Sequence, residues 1–133
     1  DNLSQGLASL YKRNMFKTPM VLYRLKKTLN DYALVFKQYD LVLSPVAAHT
    51  TPKLGWLSPS QDFDVLFDRL LRYVSFTPLN NASGSPAISL PMGVTTEGLP
   101  IAVQFSAAHG DERSLLEISY ALEQAHPWRR IQD

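Results

Sequence analysis

Five hydrogen-bonding side chains crowd into one short stretch of the chain, Thr77, Asn80, Asn81, Ser83 and Ser85, with Gly84 between the two serines. A serine hydroxyl attacks an amide or ester carbonyl only when a neighbouring base takes its proton and fixed donors receive the oxyanion. The stretch supplies no such base. His49, His109 and His126 lie far apart along the chain, and Asp40 stands alone ahead of an apolar run, where a backbone hydrogen bond suits it better than proton transfer. The same histidines lack zinc-ligand spacing, and the sequence has no cysteine to complete a set. Asp62-Phe63-Asp64 lacks the oxygen series and the glycine of a calcium loop. Gly84, Gly93 and Gly98 are too separated to cradle a phosphate. No metal, nucleotide or organic cofactor is expected, and Ser83 and Ser85 read as turn hydroxyls.

Elements on either side must place that turn. Gly84 offers conformational freedom and Pro86 restricts the entry into an apolar run, Ala87 to Leu90, which reads as a strand. Thr95 to Gly98 offers a reversal, and Leu99 to Phe105 reads as a neighbouring strand with Pro100 at its entrance. Earlier, the apolar spacing of Val21, Leu22, Leu25, Leu29, Tyr32, Ala33 and Phe36 predicts a helix from Thr18, as cap, to about Gln38, with Pro19 at its first position. Residues 4 to 13 suit a short preceding helix. Leu41 to Pro45 reads as a buried strand. Ser58-Pro59-Ser60-Gln61 looks like the start of a helix carrying Phe63, Leu66, Phe67, Leu70, Leu71 and Val74. A last helix, Asp111 to Ala125, is capped by Asp111, with Trp128 as a packing anchor beyond it. The expected class is α/β, a partial mixed sheet with flanking helices.

Composition excludes several functions. The 133 residues are 45% hydrophobic and 19% charged, enough for one core and unlike a disordered polyelectrolyte. No apolar run reaches the roughly 18 to 20 residues that cross a bilayer, and the opening DNLSQGLASLYKRN has no leader pattern, so neither membrane nor targeting segment is expected. Lack of cysteine leaves the compartment open, with the cytoplasm slightly favoured. The net charge of +1 hides an asymmetry: seven basic against two acidic side chains before Asp40, six against ten from there on. Arg24-Leu25-Lys26-Lys27 is the only compact basic group, too little to track a phosphate backbone, and no nucleic-acid partner is expected.

Three segments together carry a family resemblance. Tyr39-Asp40-Leu41-Val42-Leu43-Ser44-Pro45, the run from Thr77 to Gly93 (TPLNNASGSPAISLPMG), and Gly98-Leu99-Pro100-Ile101-Ala102-Val103-Gln104 followed by Asp111-Glu112 and Pro127-Trp128 resemble the amidase signature family in order and spacing. The resemblance implies that residues 1 to 133 are an incomplete C-terminal portion of an amidase-like domain whose complete form hydrolyses carboxylic amides. Ala102 departs from the glycine the family commonly has. The family's serine, second serine on a cis peptide, and lysine have no counterpart here, so no catalytic residue is assigned and the chain alone is expected to be noncatalytic. Its partner would be the missing N-terminal catalytic segment or a companion chain. By the same resemblance Thr77, Asn80, Asn81 and Ser83 are candidates to line an acyl-substrate pocket, with a structural bond the commoner role for Asn80. Gln104 would be a buried polar connector. The competing reading is an α/β interaction domain, derived from an amidase scaffold, that forms a homo-oligomer or binds another chain through apolar helix faces.

Overall fold

The computed structural model describes residues 1–128. In chain order it runs α1 (Asn2–Asn14), a 3₁₀ turn (Met15–Lys17), α2 (Thr18–Val35), β1 (Leu41–Pro45), α3 (Phe63–Tyr73), α4 (Pro78–Ser83), β2 (Ala87–Val94), β3 (Pro100–Ala107) and α5 (Glu112–Ala125). The α/β class expected above is the class observed. Within the described residues the sheet has order β1-β3-β2 with both pairings antiparallel. No helix of the described residues is long and apolar enough to cross a membrane.

The reversal at Thr95–Gly98 makes β2 and β3 a hairpin. Thr95 Oγ1 accepts from the amides of Glu97 and Leu99, and Gly98 takes a φ of +81°. β3 then serves both neighbours in alternation. Val46 N–H bonds the carbonyl of Ala102 towards β1, and Ala107 N–H bonds the carbonyl of Pro86 towards β2. Counting by twos from these bonds puts the nitrogens of Pro45 and Pro91 on the outer edges, where a missing N–H costs the ladder nothing. That is why β2 runs beyond the expected Leu90, through Pro91 and a register irregularity, to Val94.

Two helix starts differ from expectation. Thr18 is the first residue of α2 rather than its cap; Lys17 holds the cap position without a side-chain bond, and the Thr18 hydroxyl donates back to the carbonyl of Met15 at 2.6 Å. α3 begins at Phe63, with Asp62 Oδ1 accepting from Asp64 N at 3.0 Å, whereas Ser58-Pro59-Ser60 stays in a turn closed by Ser58 Oγ and Ser60 Oγ. A carboxylate one residue ahead of the apolar spacing is the stronger acceptor for free helix amides, and it adds favourable charge at the positive helix end. At the other termini, Asp111 caps α5 as expected, and α4 ends at Gly84 in the left-handed region.

Burial is sparse. Among the described residues Leu66, Leu90, Ala107, Leu115 and Tyr32 are the buried hydrophobic ones, and α5 lies against β2 and β3. α1 rests on α3 where Gly6 lies under the ring of Phe63 so closely that a Cβ would collide with it. The stripe on α2 is largely uncovered: of its residues only Tyr32 is buried, while Val21 and Leu22 are more than half exposed.

Gly84 has φ +69° and nothing within 4 Å of the position a Cβ would take. Backbone handedness alone therefore fixes the glycine. Gly84→Ala is expected to cost about 1–2 kcal/mol in urea unfolding, the penalty for an L-residue in that region. A loss below a few tenths would show that the turn readily relaxes.

Candidate functional site

The polar cluster is organised by β3. Gln104 and Ser106 stand two residues apart, so they share one face of the strand, and both are buried, at 7% and 2% exposure. Burying an amide and a hydroxyl is unfavourable unless each finds a partner. Asn80, on α4, is that partner. Gln104 Nε2 donates to Asn80 Oδ1 at 3.0 Å, and Ser106 Oγ lies 3.2 Å from Oδ1 and 2.9 Å from Nδ2. Asn80 Nδ2 also donates to the carbonyl of Ser85 at 3.2 Å. An asparagine amide has two donors and one carbonyl oxygen. Here both ends are engaged by protein, so Asn80 acts as a clamp between α4, β3 and the turn into β2.

The other residues of the stretch divide. Ser83 Oγ lies 3.4 Å from the carbonyl of Asn80 and accepts from Ser85 N at 3.3 Å, which holds the turn in shape. Thr77 Oγ1 turns back to the carbonyl of Val74 at 3.5 Å, a long bond. Asn81 is exposed and Pro86 is half-buried at the entry to β2. Ser83 and Ser85 border a cavity of about 240 Å³ lined also by Leu29 and Ala33 of α2, by Phe36 just beyond its end, and by His109. Thr77, Asn80 and Asn81 are not in its wall. No three His, Cys, Asp or Glu side chains converge among the described residues.

A second cluster gathers at the opposite end of β3. Arg69 lies over the Trp56 ring at 5.2 Å and donates from Nη1 to the Trp56 carbonyl and to Gln61 Oε1, at 2.9 and 2.6 Å. Trp56 meets His49 edge-on with centroids 5.1 Å apart, and His49 meets Tyr73 at 4.9 Å. Because Arg69 and Tyr73 are four apart on α3, they share a face, and the loop after β1 is laid across it. Ala48 N–H fixes that loop to the Tyr73 carbonyl at 3.0 Å. A cavity of about 340 Å³ opens beside it, between the end of β1 and the start of β3. Sequence reasoning missed both Ser106 and this cluster. Ser106 had a signal, a second polar residue in register with Gln104 in an apolar run. Trp56, Arg69 and Tyr73 had none, because only folding brings the loop to α3.

An α/β sheet with clefts at both ends of its central strand and a glycine-serine turn entering the hairpin defines the class of scaffold. The comparisons then define the family. The Amidase family model matches residues 3–116. AmiC of Mycobacterium leprae, a protein named as an amidase, is 42% identical over 132 residues, covering 99% of this chain and 28% of its own length. The 6-aminohexanoate-cyclic-dimer hydrolase of a Pseudomonas strain is 41% identical over 96 residues, 68% of this chain and 20% of its own. A solved 6-aminohexanoate cyclic dimer hydrolase superposes with a TM-score of 0.71 at 35% identity, over 81% of this chain and 24% of that one. A bacterial aryl acylamidase shares the fold, with a TM-score of 0.75 at 24% identity over 96% of this chain and 26% of its own. The chain belongs to the amidase signature family. It spans about 28% of the length of AmiC.

Asn80→Ala is expected to leave Gln104 and Ser106 without their partner and to destabilise the chain by about 2–4 kcal/mol, the penalty for two unsatisfied buried groups. Asn81→Ala, at an exposed position, should stay within about 0.5 kcal/mol. Urea unfolding of the two variants side by side checks the difference; equal effects would remove the clamp from the account.

Proposed function

We propose that this chain is the C-terminal portion of an amidase that hydrolyses carboxylic amides, and that it contributes scaffold and pocket wall rather than the nucleophile. The family match over residues 3–116 carries the reading. It is supported by the bonding of the polar stretch. Asn80 is spent on Gln104, Ser106 and Ser85, and the serine hydroxyls serve the turn. The nucleophile and its proton relay belong, on this reading, to a catalytic segment outside these residues or on a companion chain. Ser83 and Ser85 reach a substrate only as cavity wall, Gly84 and Pro86 shape their turn, and Thr77 and Asn81 stand outside that wall.

The same reading gives the uncovered helices a role. Met15, Phe16 and Tyr23 are 58%, 77% and 70% exposed at the bend from α1 to α2, a concentration of apolar surface that solvent disfavours. The remainder of the amidase domain covers this bend on our reading. Self-association through it is the competing outcome, detectable as a mass that rises with concentration.

Amide hydrolysis should be assayed by ammonia release for residues 1–133 alone and for a longer protein that contains them. The expected result is turnover only in the longer protein, retained within about tenfold in Ser83→Ala and Ser85→Ala, since truncating groups that do not form the covalent intermediate removes a contact rather than the reaction path. Turnover by residues 1–133 alone would overturn the assignment.

A further inference from the structure

The first helix is held to the rest of the protein along one short seam. None of the 13 residues of α1 is buried, and the element it packs on beyond the turn that follows it is α3. Asn2 and Gly6 stand four apart and so share one face of the helix. On that face Asn2 Nδ2 donates to the Gln61 carbonyl at 3.1 Å, and Gly6 lies against the Phe63 ring with no room for a Cβ. The ring is not free to swing aside, because it is stacked on Phe67 with centroids 5.3 Å apart and planes 13° from parallel. Glycine weakens a helix interior, and here the close approach requires it. α1 therefore grips the chain on either side of Asp62, the residue that caps α3.

Gln61 joins that seam to the loop after β1. Its carbonyl accepts from α1, while its side chain faces the loop: Nε2 donates to the carbonyls of Gly55 and Trp56, and Oε1 accepts from Arg69 Nη1. Trp56 in turn meets His49, and His49 meets Tyr73. The loop so held lines two cavities, of about 340 and 450 Å³, which share Thr51 and Tyr73 in their walls. A 13-residue helix with no buried side chain is marginal in water by itself and undocks at little cost, so it has two states, docked and free. Its release removes the hydrogen bond at the Gln61 carbonyl and the contact at Phe63 together. With them goes what fixes the peptide from which the Gln61 side chain reaches the loop.

We propose that α1 is a detachable clasp: docked on Gln61 and Phe63 it fixes the loop that walls both cavities, and released it loosens that loop while the sheet stays folded. Amide hydrogen exchange of the ¹⁵N-labelled 133-residue chain, followed by NMR, tests the coupling. The reporters are the amides of Trp56, Ser58 and Gln61, which bond within the loop to the carbonyls of Lys53, Gly55 and Ser58. Gly6→Leu drives a side chain into the Phe63 ring, whereas Ala8→Leu adds the same side chain about 200° round the helix, at an exposed position. Leucine suits a helix at both places. Gly6→Leu should speed exchange of the reporters about tenfold or more, the scale of one lost hydrogen-bonded tie. Ala8→Leu, and the amides of the β2–β3 hairpin in both variants, should stay within about twofold of the parent chain. Gln61→Ala keeps the carbonyl that accepts from Asn2 and removes the side chain that reaches the loop. In that background Gly6→Leu should have no further effect on Trp56 and Ser58, because the link is already cut. Should Gly6→Leu lose its dispersed spectrum, Asn2→Ala gives the same reading with a smaller factor, since it removes the seam's hydrogen bond and adds no bulk. Equal exchange in Gly6→Leu and Ala8→Leu, a hairpin that loses its protection together with the loop in Asn2→Ala, or a full Gly6→Leu effect in the Gln61→Ala background would each overturn the proposal.

Discussion

Two polar side chains buried on the central strand set the terms for the rest of the structure. β3 has a neighbour on each side, so its backbone is committed and only the side chains of Gln104 and Ser106 remain to be satisfied. A single residue, Asn80, satisfies both. It can do so only if α4 lies over that face and the chain then turns sharply back, which Gly84 permits through its left-handed backbone. The bond from Asn80 to the Ser85 carbonyl closes the arrangement. α4, the turn and the entry to β2 are thus tied into one unit by hydrogen bonds.

The other end of β3 is organised by different physics. Ala102 stands four residues from Ser106, about 13 Å along the strand. At the Ala102 end a guanidinium on an indole, backbone acceptors and three aromatic rings tie an irregular loop to α3. The loop from Val46 to Leu57 needs such ties because it has few backbone partners of its own. The stability of its shape rests on Arg69 and Gln61, both half-buried, more than on any buried hydrophobic residue.

The small core and the exposed helices belong together. The five buried hydrophobic residues among those described leave the bend from α1 to α2 and most of the α2 stripe uncovered. The chain spans about 28% of the length of AmiC. Five of the seven basic side chains of residues 1–39, Lys12, Arg13, Arg24, Lys26 and Lys27, lie on the same two helices.

Local rules made much of this legible in the sequence. Two short apolar runs, with the reversal at Thr95 to Gly98 between them and Pro100 at the second entrance, pointed to the hairpin, Asp111 to the start of α5, and the ordered motifs around Tyr39, Thr77 and Gly98 to the family. At the start of α3 Ser58 reads as the cap in the sequence and Asp62 is passed over, yet the carboxylate of Asp62 prevailed because it offers a stronger acceptor and a favourable charge. Thr18 offered a hydroxyl that turned instead to the Met15 carbonyl. The roles within the polar stretch were beyond local rules altogether. Asn80 and Asn81 are the same residue type side by side, yet one is a clamp and the other is exposed, because a helix turn of about 100° per residue points only one of them at β3. Trp56, Arg69 and Tyr73 likewise became a cluster only when α3 packed under the loop. The sequence by itself determined which segments are helices and strands and to which family they belong, since those follow from neighbours a few residues apart. Which side chains meet depends on contacts across tens of residues, and only the tertiary structure decided it.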